Sequence, residues 1–235
     1  MMREELSENA LKKKLTERSR EKLLQLHEPV FNNLDLSGWD LSGLDLRWAD
    51  FHNCILEQTD FHGSDLSNAC FRDAKLKGAD FRGCVLHGTD LRWDDLRGIH
   101  IEGADLYAAQ LEGSQTEGIV DDENTRFFRM ECPETGAFVG YKKCFNNTLV
   151  QLLIPADAKR VMATTRAGRC NKAKVLSIKT FDGEQSFEET CALADPNFIY
   201  RRGCWVHVDP FDENRWLEST PGIYFWLTPE EALAY

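Results

Sequence analysis

Aspartate at intervals of five residues is the most regular chemical feature of this chain of 235 residues. Ten of these side chains lie at positions that differ by multiples of five: Asp35, Asp40, Asp45, Asp50, Asp60, Asp65, Asp80, Asp90, Asp95 and Asp105. Residues 31–119 hold seven basic and sixteen acidic side chains, so they carry −9 of the net −11 of the chain. Stacked carboxylates repel nucleic-acid phosphates, so this segment predicts a protein partner with a basic surface and no direct nucleic-acid binding.

A second concentration of charge lies in the C-terminal half and is basic. Six cations crowd within sixteen residues: Lys159, Arg160, Arg166, Arg169, Lys172 and Lys174. Such a cluster predicts an anion-binding site for phosphate or nucleic acid. A solvated loop, or a patch that meets the acidic segment, is the alternative.

Two short motifs suggest a candidate ligand pocket that contains Tyr200, Arg201 and Tyr224. YRRG (200–203) followed by GIYF (222–225) resembles the ADP-ribosyltransferases, in which a GIYF strand lines the nicotinamide pocket. No placed histidine and catalytic glutamate complete that pattern. No Walker loop, GxSxG, HExxH or dinucleotide fingerprint occurs either. We therefore expect a protein that is not an enzyme, with no catalytic residues and no cofactor.

Cysteine and histidine do not suggest a metal site. The eight cysteines form no CxxC pair, and His52, His62 and His87 are scattered over outward positions. Free thiols in a reducing cytosol are the expectation. The sequence has no apolar run long enough to span a membrane and no visible secretory signal, so we expect a cytoplasmic protein without membrane contact.

The apolar pattern indicates the elements that must position the aspartates. Every fifth residue from Phe31 to Leu111 is Leu, Phe or Ile, and a small side chain usually stands two residues earlier. A period of five fits neither a helix nor a strand, so the chain must turn a corner every five residues. Glycine at 43, 63, 83 and 103 suits corners that need a positive φ.

Units such as GADFRG (78–83) and GADLYA (103–108) resemble those of the pentapeptide-repeat proteins, whose unit is A(D/N)Lxx. The resemblance implies a mainly β fold, in which residues 31–118 form a right-handed quadrilateral β-helix of about four coils, each of about twenty residues. It also implies that DNA mimicry is an option, since some members of the family bind DNA gyrase. The predicted partner-binding residues are six aspartates on two adjacent faces: Asp40, Asp60, Asp80, Asp45, Asp65 and Asp105.

Two further domains are predicted beside the repeat. Residues 1–30 predict an N-terminal helix that caps the solenoid or dimerises. Residues 119–235 predict an α+β domain, with a short helix after Thr228. Its predicted strands lie at 148–155, 172–181, 198–208 and 222–227. Sequence segments such as GYKKC (140–144) and FDENRW (211–216) resemble those of a domain of unknown activity that lies C-terminal to pentapeptide repeats in phage and bacterial proteins.

Three hypotheses of function follow. The leading one is a phage-encoded, anti-defence binding protein that inhibits a host DNA-handling or defence protein through the acidic faces of the solenoid. Trp48 and Trp93 stand at outward positions as candidate anchors, or pack against the flanking domains. The second is a C-terminal domain that binds a small anionic ligand such as a nucleotide, with the solenoid as a spacer. The third is a structural or assembly role, and a homo-oligomer is compatible with all three.

Overall fold

The computed structural model describes residues 29–217 and 220–235 of the chain. These residues form two compact units, which divide between Arg129 and Met130. The predicted N-terminal helix lies outside the described residues, apart from Pro29 and Val30. The predicted domain limits at residues 30 and 118 stay predictions.

The first unit is a β-helix solenoid built from the five-residue repeat. All seventeen central residues from Phe31 to Leu111 are at most 3% exposed. From Val30 to His100, the residue before each central residue forms a parallel bridge with the residue twenty positions later, and a last bridge joins Asp105 to Arg126. The bridges therefore stack successive coils, whose handedness and number stay predictions.

The bridged residues form four ladders that run along the solenoid. Ladder 1 contains Val30, Asp50, Cys70, Asp90 and Gln110; ladder 2 contains Asp35, Ile55, Lys75, Asp95 and Gln115; ladder 3 contains Asp40, Asp60, Asp80, His100 and Val120; ladder 4 contains Asp45, Asp65, Val85, Asp105 and Arg126. Five residues separate neighbouring ladders along the chain, so each coil passes through all four in turn.

Phenylalanine rings stack inside the solenoid. Phe31, Phe51 and Phe71 stack face to face at ring-centroid distances of 4.7 and 4.9 Å, and Phe61 stacks on Phe81 at 5.1 Å. The two stacks meet edge to face at 5.5 to 5.7 Å. Each such pair adds about 0.5–1.5 kcal/mol to the free energy gained by burying the rings. The stacked rings therefore contribute to the stability of the solenoid interior.

The positions two residues before a central residue are called the inner corners below. Small polar side chains at these positions form hydrogen bonds to the preceding coil. Ser64 Oγ donates to the carbonyl oxygen of Leu41 at 2.7 Å and accepts from the Leu44 N–H at 3.0 Å. The same bond to a carbonyl oxygen twenty-three residues earlier is made by Cys54, Thr59, Cys84, Thr89 and Ser114. A donor at this position thus satisfies a carbonyl group that would otherwise be buried without a second partner.

The described residues of the second unit form nine strands and one helix. The strands are β1 (Phe138–Cys144), β2 (Thr148–Ile154), β3 (Arg160–Met162), β4 (Gly168–Cys170), β5 (Lys172–Thr180), β6 (Glu189–Cys191), β7 (Ile199–Arg201), β8 (Trp205–His207) and β9 (Ile223–Phe225), and the helix is α1 (Pro229–Ala234). They pair in the orders β1-β2-β5-β8, β3-β4-β9 and β6-β7. A further antiparallel bridge, between Tyr141 and Trp226, connects β1 to the residue that follows β9.

The sequence patterns explain most of these elements. Alternate residues of β2 are buried, as expected for a strand with one face on a core. The predicted strand at 198–208 is divided into β7 and β8, because Gly203 has φ +78° and turns the chain between them. Helix α1 begins after Thr228, whose side chain accepts a hydrogen bond from the Glu231 N–H. No helix within the described residues is long and apolar enough to cross a bilayer.

Candidate functional site

The aspartates of the ladders have a local structural role, which explains why they recur. Asp60 Oδ1 accepts a hydrogen bond from the His62 N–H at 2.8 Å, and Asp40 Oδ1 accepts one from the Ser42 N–H at 3.0 Å. The same bond to the N–H two residues later forms at Asp35, Asp45, Asp50, Asp65, Asp80, Asp90, Asp95 and Asp105. This arrangement is an Asx turn, which aspartate and asparagine favour. The periodic aspartates therefore shape the corners whether or not a partner binds.

The six predicted partner-binding aspartates lie in two neighbouring ladders. Ladder 3 contains three of them in direct succession, and ladder 4 contains two in succession before Val85 separates them from Asp105. The five uninterrupted residues, called the acidic strip below, are Asp40, Asp45, Asp60, Asp65 and Asp80. The structure thus brings five of the six together.

Arginine neutralises part of the charge of the acidic strip. Arg82 Nη2 lies 2.5 Å from Asp80 Oδ2, and Arg47 lies 2.6 Å from Asp45 and 3.7 Å from Asp65. Burial of Asp80 raises its pKa, but the hydrogen bonds from Arg82 outweigh this and hold the pKa below its ordinary value. Among the described residues, two guanidinium groups pair with three of the five carboxylates of the strip. Exposed ion pairs contribute only about 0–1 kcal/mol, so a partner's cation can replace either arginine.

The predicted site residues omit Asp94, which lies inside the solenoid. Asp94 is 2% exposed, and neither carboxylate oxygen has a hydrogen-bond partner within the described residues. Burial and, to a lesser extent, the negative charges of Asp90 and Asp73 raise the pKa of Asp94 to about 8. The five-residue register could have found this residue, because position 94 lies two residues before a central residue, where small side chains usually stand.

Two tryptophans occupy outer corners where glycine and asparagine are common. Trp48 has φ +62° and Trp93 has φ +67°, and the two are 52% and 68% exposed. A bulky side chain in this left-handed region is strained, and strain of this kind persists where the surrounding structure imposes it. Both tryptophans stay candidate binding anchors.

The six cations predicted to bind an anion do not converge on one site. Arg160 of β3 is buried, and its guanidinium group donates to the carbonyl oxygens of Pro133, Gly136, Pro155 and Ala156. It therefore clasps two loops at distances of 2.7 to 3.3 Å. Its donors are directed at backbone, away from any ligand in solution.

Arg169 of β4 has a similar role on another loop. Its guanidinium group donates to the carbonyl oxygens of Asn214 at 3.1 Å and Leu217 at 2.9 Å. Burial lowers the pKa of Arg169. The other cations lie near the surface, and three of them form ion pairs: Lys159 with Glu213, Arg166 with Glu231, and Lys172 with Asp157. Within the described residues, no carboxylate pairs with Lys174.

The three residues of the predicted ligand pocket lie in different surroundings. Tyr200 of β7 is 1% exposed in the apolar core, and burial raises its pKa. Arg201 is exposed and pairs with Glu189 at 2.9 Å. Tyr224 belongs to β9, in another sheet, and donates its hydroxyl to the Thr220 carbonyl oxygen at 3.2 Å. Their positions give the predicted pocket no support.

Thiols and histidines do not gather into a metal centre. Within the described residues, no group of three or more His, Cys, Asp or Glu side chains could hold a metal ion. All eight cysteines are free. Burial raises the pKa of Cys84 and of Cys170 to about 12, so these thiols are not nucleophiles at neutral pH.

Comparisons with known proteins agree with this architecture. The profile of pentapeptide repeats, in eight copies, matches residues 25–58 and 45–83, and a family of unknown function, DUF5758, matches residues 128–232. No functionally curated protein matches the chain.

Three similar solved structures cover the repeat segment. A pentapeptide-repeat protein from the thylakoid lumen of Arabidopsis thaliana is 33% identical over 43% of this chain and 68% of its own, with a TM-score of 0.39. A pentapeptide-repeat protein from the cyanobacterium Cyanothece 51142 is 30% identical over 43% of this chain and 66% of its own, with a TM-score of 0.28. A plasmid-mediated fluoroquinolone resistance protein is 19% identical over 42% of this chain and 67% of its own, with a TM-score of 0.18. The chain belongs to the pentapeptide-repeat family and carries a C-terminal DUF5758 domain.

Proposed function

We propose that this chain is a non-catalytic binding protein whose solenoid presents the acidic strip to a protein partner with a basic surface. The observation that carries the proposal is the uninterrupted succession of five carboxylates on two neighbouring ladders. Each carboxylate is oriented by its Asx turn, so little side-chain entropy is lost when a cation binds.

The density of charge limits how far the strip resembles DNA. Coils in this architecture stack about 4.8 Å apart, so five carboxylates over three coils give about one charge per 3 Å. Duplex DNA carries about one per 1.7 Å. Three of the five carboxylates, Asp45, Asp65 and Asp80, are also paired with arginine. The strip therefore suits a patch of lysine and arginine on a protein better than it substitutes for a whole DNA duplex.

The finer proposal concerns the partner. A basic surface that normally receives phosphates is the complement of the strip, which favours a DNA-handling or defence enzyme of a host cell. Inhibition would follow if the solenoid covered that surface. The resemblance of the C-terminal segment to phage domains supports a phage-encoded inhibitor that acts in the host cytosol.

The test removes the negative charges of ladder 3 and preserves the Asx turns at the corners of the solenoid. In the triple variant Asp40→Asn, Asp60→Asn, Asp80→Asn, each amide oxygen still accepts the N–H two residues later, so the Asx turns persist. Capture of partners from host lysate, quantified by mass spectrometry, should fall at least tenfold. A supercoiling assay with DNA gyrase and the purified protein tests one DNA-handling enzyme as the partner.

A matched control removes three other acids: Asp35 and Asp95 of ladder 2, and Glu57, which follows Ile55 of the same ladder by two residues. The variant Asp35→Asn, Glu57→Gln, Asp95→Asn makes the same change in net charge at a different face. Its capture should equal that of the unmodified protein. Equal loss in both triple variants would show that only net charge matters, and equal retention in both would refute the acidic strip as the binding surface.

A further inference from the structure

Strands β5 and β8 place two lysines beside two aromatic rings on one face of the four-stranded sheet. In their antiparallel register Lys172 pairs with His207 and Lys174 pairs with Trp205. Ala173 and Val206, which lie between them, are buried on the other face. Because successive residues of a strand point to opposite faces, the four side chains project outward together.

The two rings are available to a ligand. Trp205 is 48% exposed and His207 is exposed, and β8 is the edge strand of the sheet. Their ring centroids lie 6.4 Å apart, and the ring planes are tilted by 33°. Neither ring covers the other at that spacing. Each ring can therefore receive one planar group, and two consecutive groups of an extended chain can stack on the pair.

The lysines complement those rings with positive charge. No carboxylate within the described residues pairs with Lys174. Lys172, whose side chain is 23% exposed, pairs with Asp157, whose side chain is 75% exposed. An ion pair with so exposed a partner is weak, so a phosphate can displace Asp157. Leu153 of β2 pairs with Lys174 on the side away from Trp205, and extends the face with an apolar side chain.

We propose that this face, formed by Lys172, Lys174, Trp205 and His207, binds single-stranded nucleic acid. Two successive bases stack on Trp205 and His207, and the neighbouring phosphates contact Lys172 and Lys174. Aromatic rings on an open sheet with cations beside them are suited to unpaired bases, because every base offers a π face. The flat face favours a strand over a free nucleotide, which needs a concave pocket. The inference does not depend on the acidic strip, which belongs to the other unit.

The test is fluorescence anisotropy of a labelled oligothymidine of about ten nucleotides with the full chain. Two phosphate contacts predict a slope of about −1.4 for log Kobs against log salt concentration. Trp205→Ala should weaken binding about tenfold, and Lys174→Glu should weaken it and make the slope shallower. A duplex of the same length should compete poorly, because its bases cannot stack on the rings.

Lys179→Glu is the matched control, because Lys179 is an exposed lysine of the same strand outside the four-residue face. Circular dichroism should show the same fold for every variant. The proposal requires that Lys179→Glu leave binding unchanged. It is overturned if no binding occurs at low salt, if Trp205→Ala binds like the unmodified chain, or if both lysine variants lose affinity equally. Equal competition by a mononucleotide at equal phosphate concentration would also overturn it in favour of a small-ligand site.

Discussion

The indole of Trp93 lies on the α-carbon of Gly113, one coil later, so a side chain at Gly113 would begin 2.0 Å from Trp93 Cε3. Gly113 also has φ +72°. We predict that Gly113→Ala lowers the free energy of unfolding by roughly 1–3 kcal/mol, because it combines backbone strain with a displaced indole. Urea unfolding followed by far-UV circular dichroism measures the loss.

A double variant separates the two contributions. Trp93→Ala removes the obstacle, so Gly113→Ala in that background should cost only the strain of the positive φ, about 1 kcal/mol. The difference is the interaction energy between the two positions. An identical cost of Gly113→Ala in both backgrounds would contradict the contact.

The buried carboxyl of Asp94 predicts a stability that falls as the pH rises. An unfolded aspartate titrates near pH 3.9, whereas the pKa of Asp94 in the folded protein is about 8. Between those values the folded state keeps a proton that the unfolded state has lost, so unfolding becomes easier by about 1.4 kcal/mol per pH unit. Above about pH 8 both states are ionised and the contribution of Asp94 stays constant. Urea titrations at pH 5, 7 and 9 measure this decline.

Asp94→Ser should remove that dependence and stabilise the solenoid near pH 8. Asp94 occupies the inner corner that corresponds to Ser64, and the carbonyl oxygen twenty-three residues earlier is that of Phe71. A serine hydroxyl can donate to it, as a protonated aspartate can and an ionised one cannot. Asp95→Asn, at an exposed neighbour paired with Arg97, is the control. Parallel pH profiles of Asp94→Ser and the unmodified protein would contradict the interpretation.

The solenoid follows from the sequence because one pattern specifies every part of it. A five-residue period of apolar centres, with small residues usually two positions before, leaves a single inward set, and every central residue from Phe31 to Leu111 is buried. The ladders follow directly, since bridges join residues twenty apart. What the pattern does not express is the role of each aspartate, because an Asx turn and an acidic surface require the same residue.

The second unit is less predictable because its interactions join residues far apart in the chain. Arg160 and Arg169 lie close together with four other cations in sequence, which suggests an anion site. All three residues of β3 and of β4 are buried, so these guanidinium groups face inward to loop carbonyls. Arg169 bonds to residues more than forty positions away. Cations that lie close together in the sequence do not reveal which distant loops will accept their hydrogen bonds.

The clasp formed by Arg160 predicts a large effect from a conservative change. Arg160→Lys keeps the charge but cannot reach the carbonyl oxygens of Pro133, Gly136, Pro155 and Ala156 together. We expect a loss of about 2–4 kcal/mol in the unfolding free energy of the second unit, because buried carbonyl groups lose their donors. Limited proteolysis should become faster between residues 133 and 137.

Arg166→Lys provides the comparison, because Arg166 pairs with Glu231 near the surface. That substitution should change the unfolding free energy by less than about 1 kcal/mol. The clasp is refuted if the two lysine variants are equally stable and equally resistant to protease.

Thiol reactivity should single out Cys204. It is the exposed member of the eight free cysteines, whereas Cys70 and Cys191 are half-buried and the others are buried. Burial raises the pKa of Cys54 and Cys132 to about 11, and that of Cys144 to about 12. The thiolate is the reactive form, so at pH 8 the folded chain should react rapidly with Ellman's reagent at one thiol.

Cys204→Ser should abolish that fast phase, and unfolding in guanidinium should expose all eight thiols of the unmodified chain. A fast phase that persists in Cys204→Ser would contradict the packing of the buried cysteines, because a second thiol could react rapidly only if its coil or sheet opened on the same timescale.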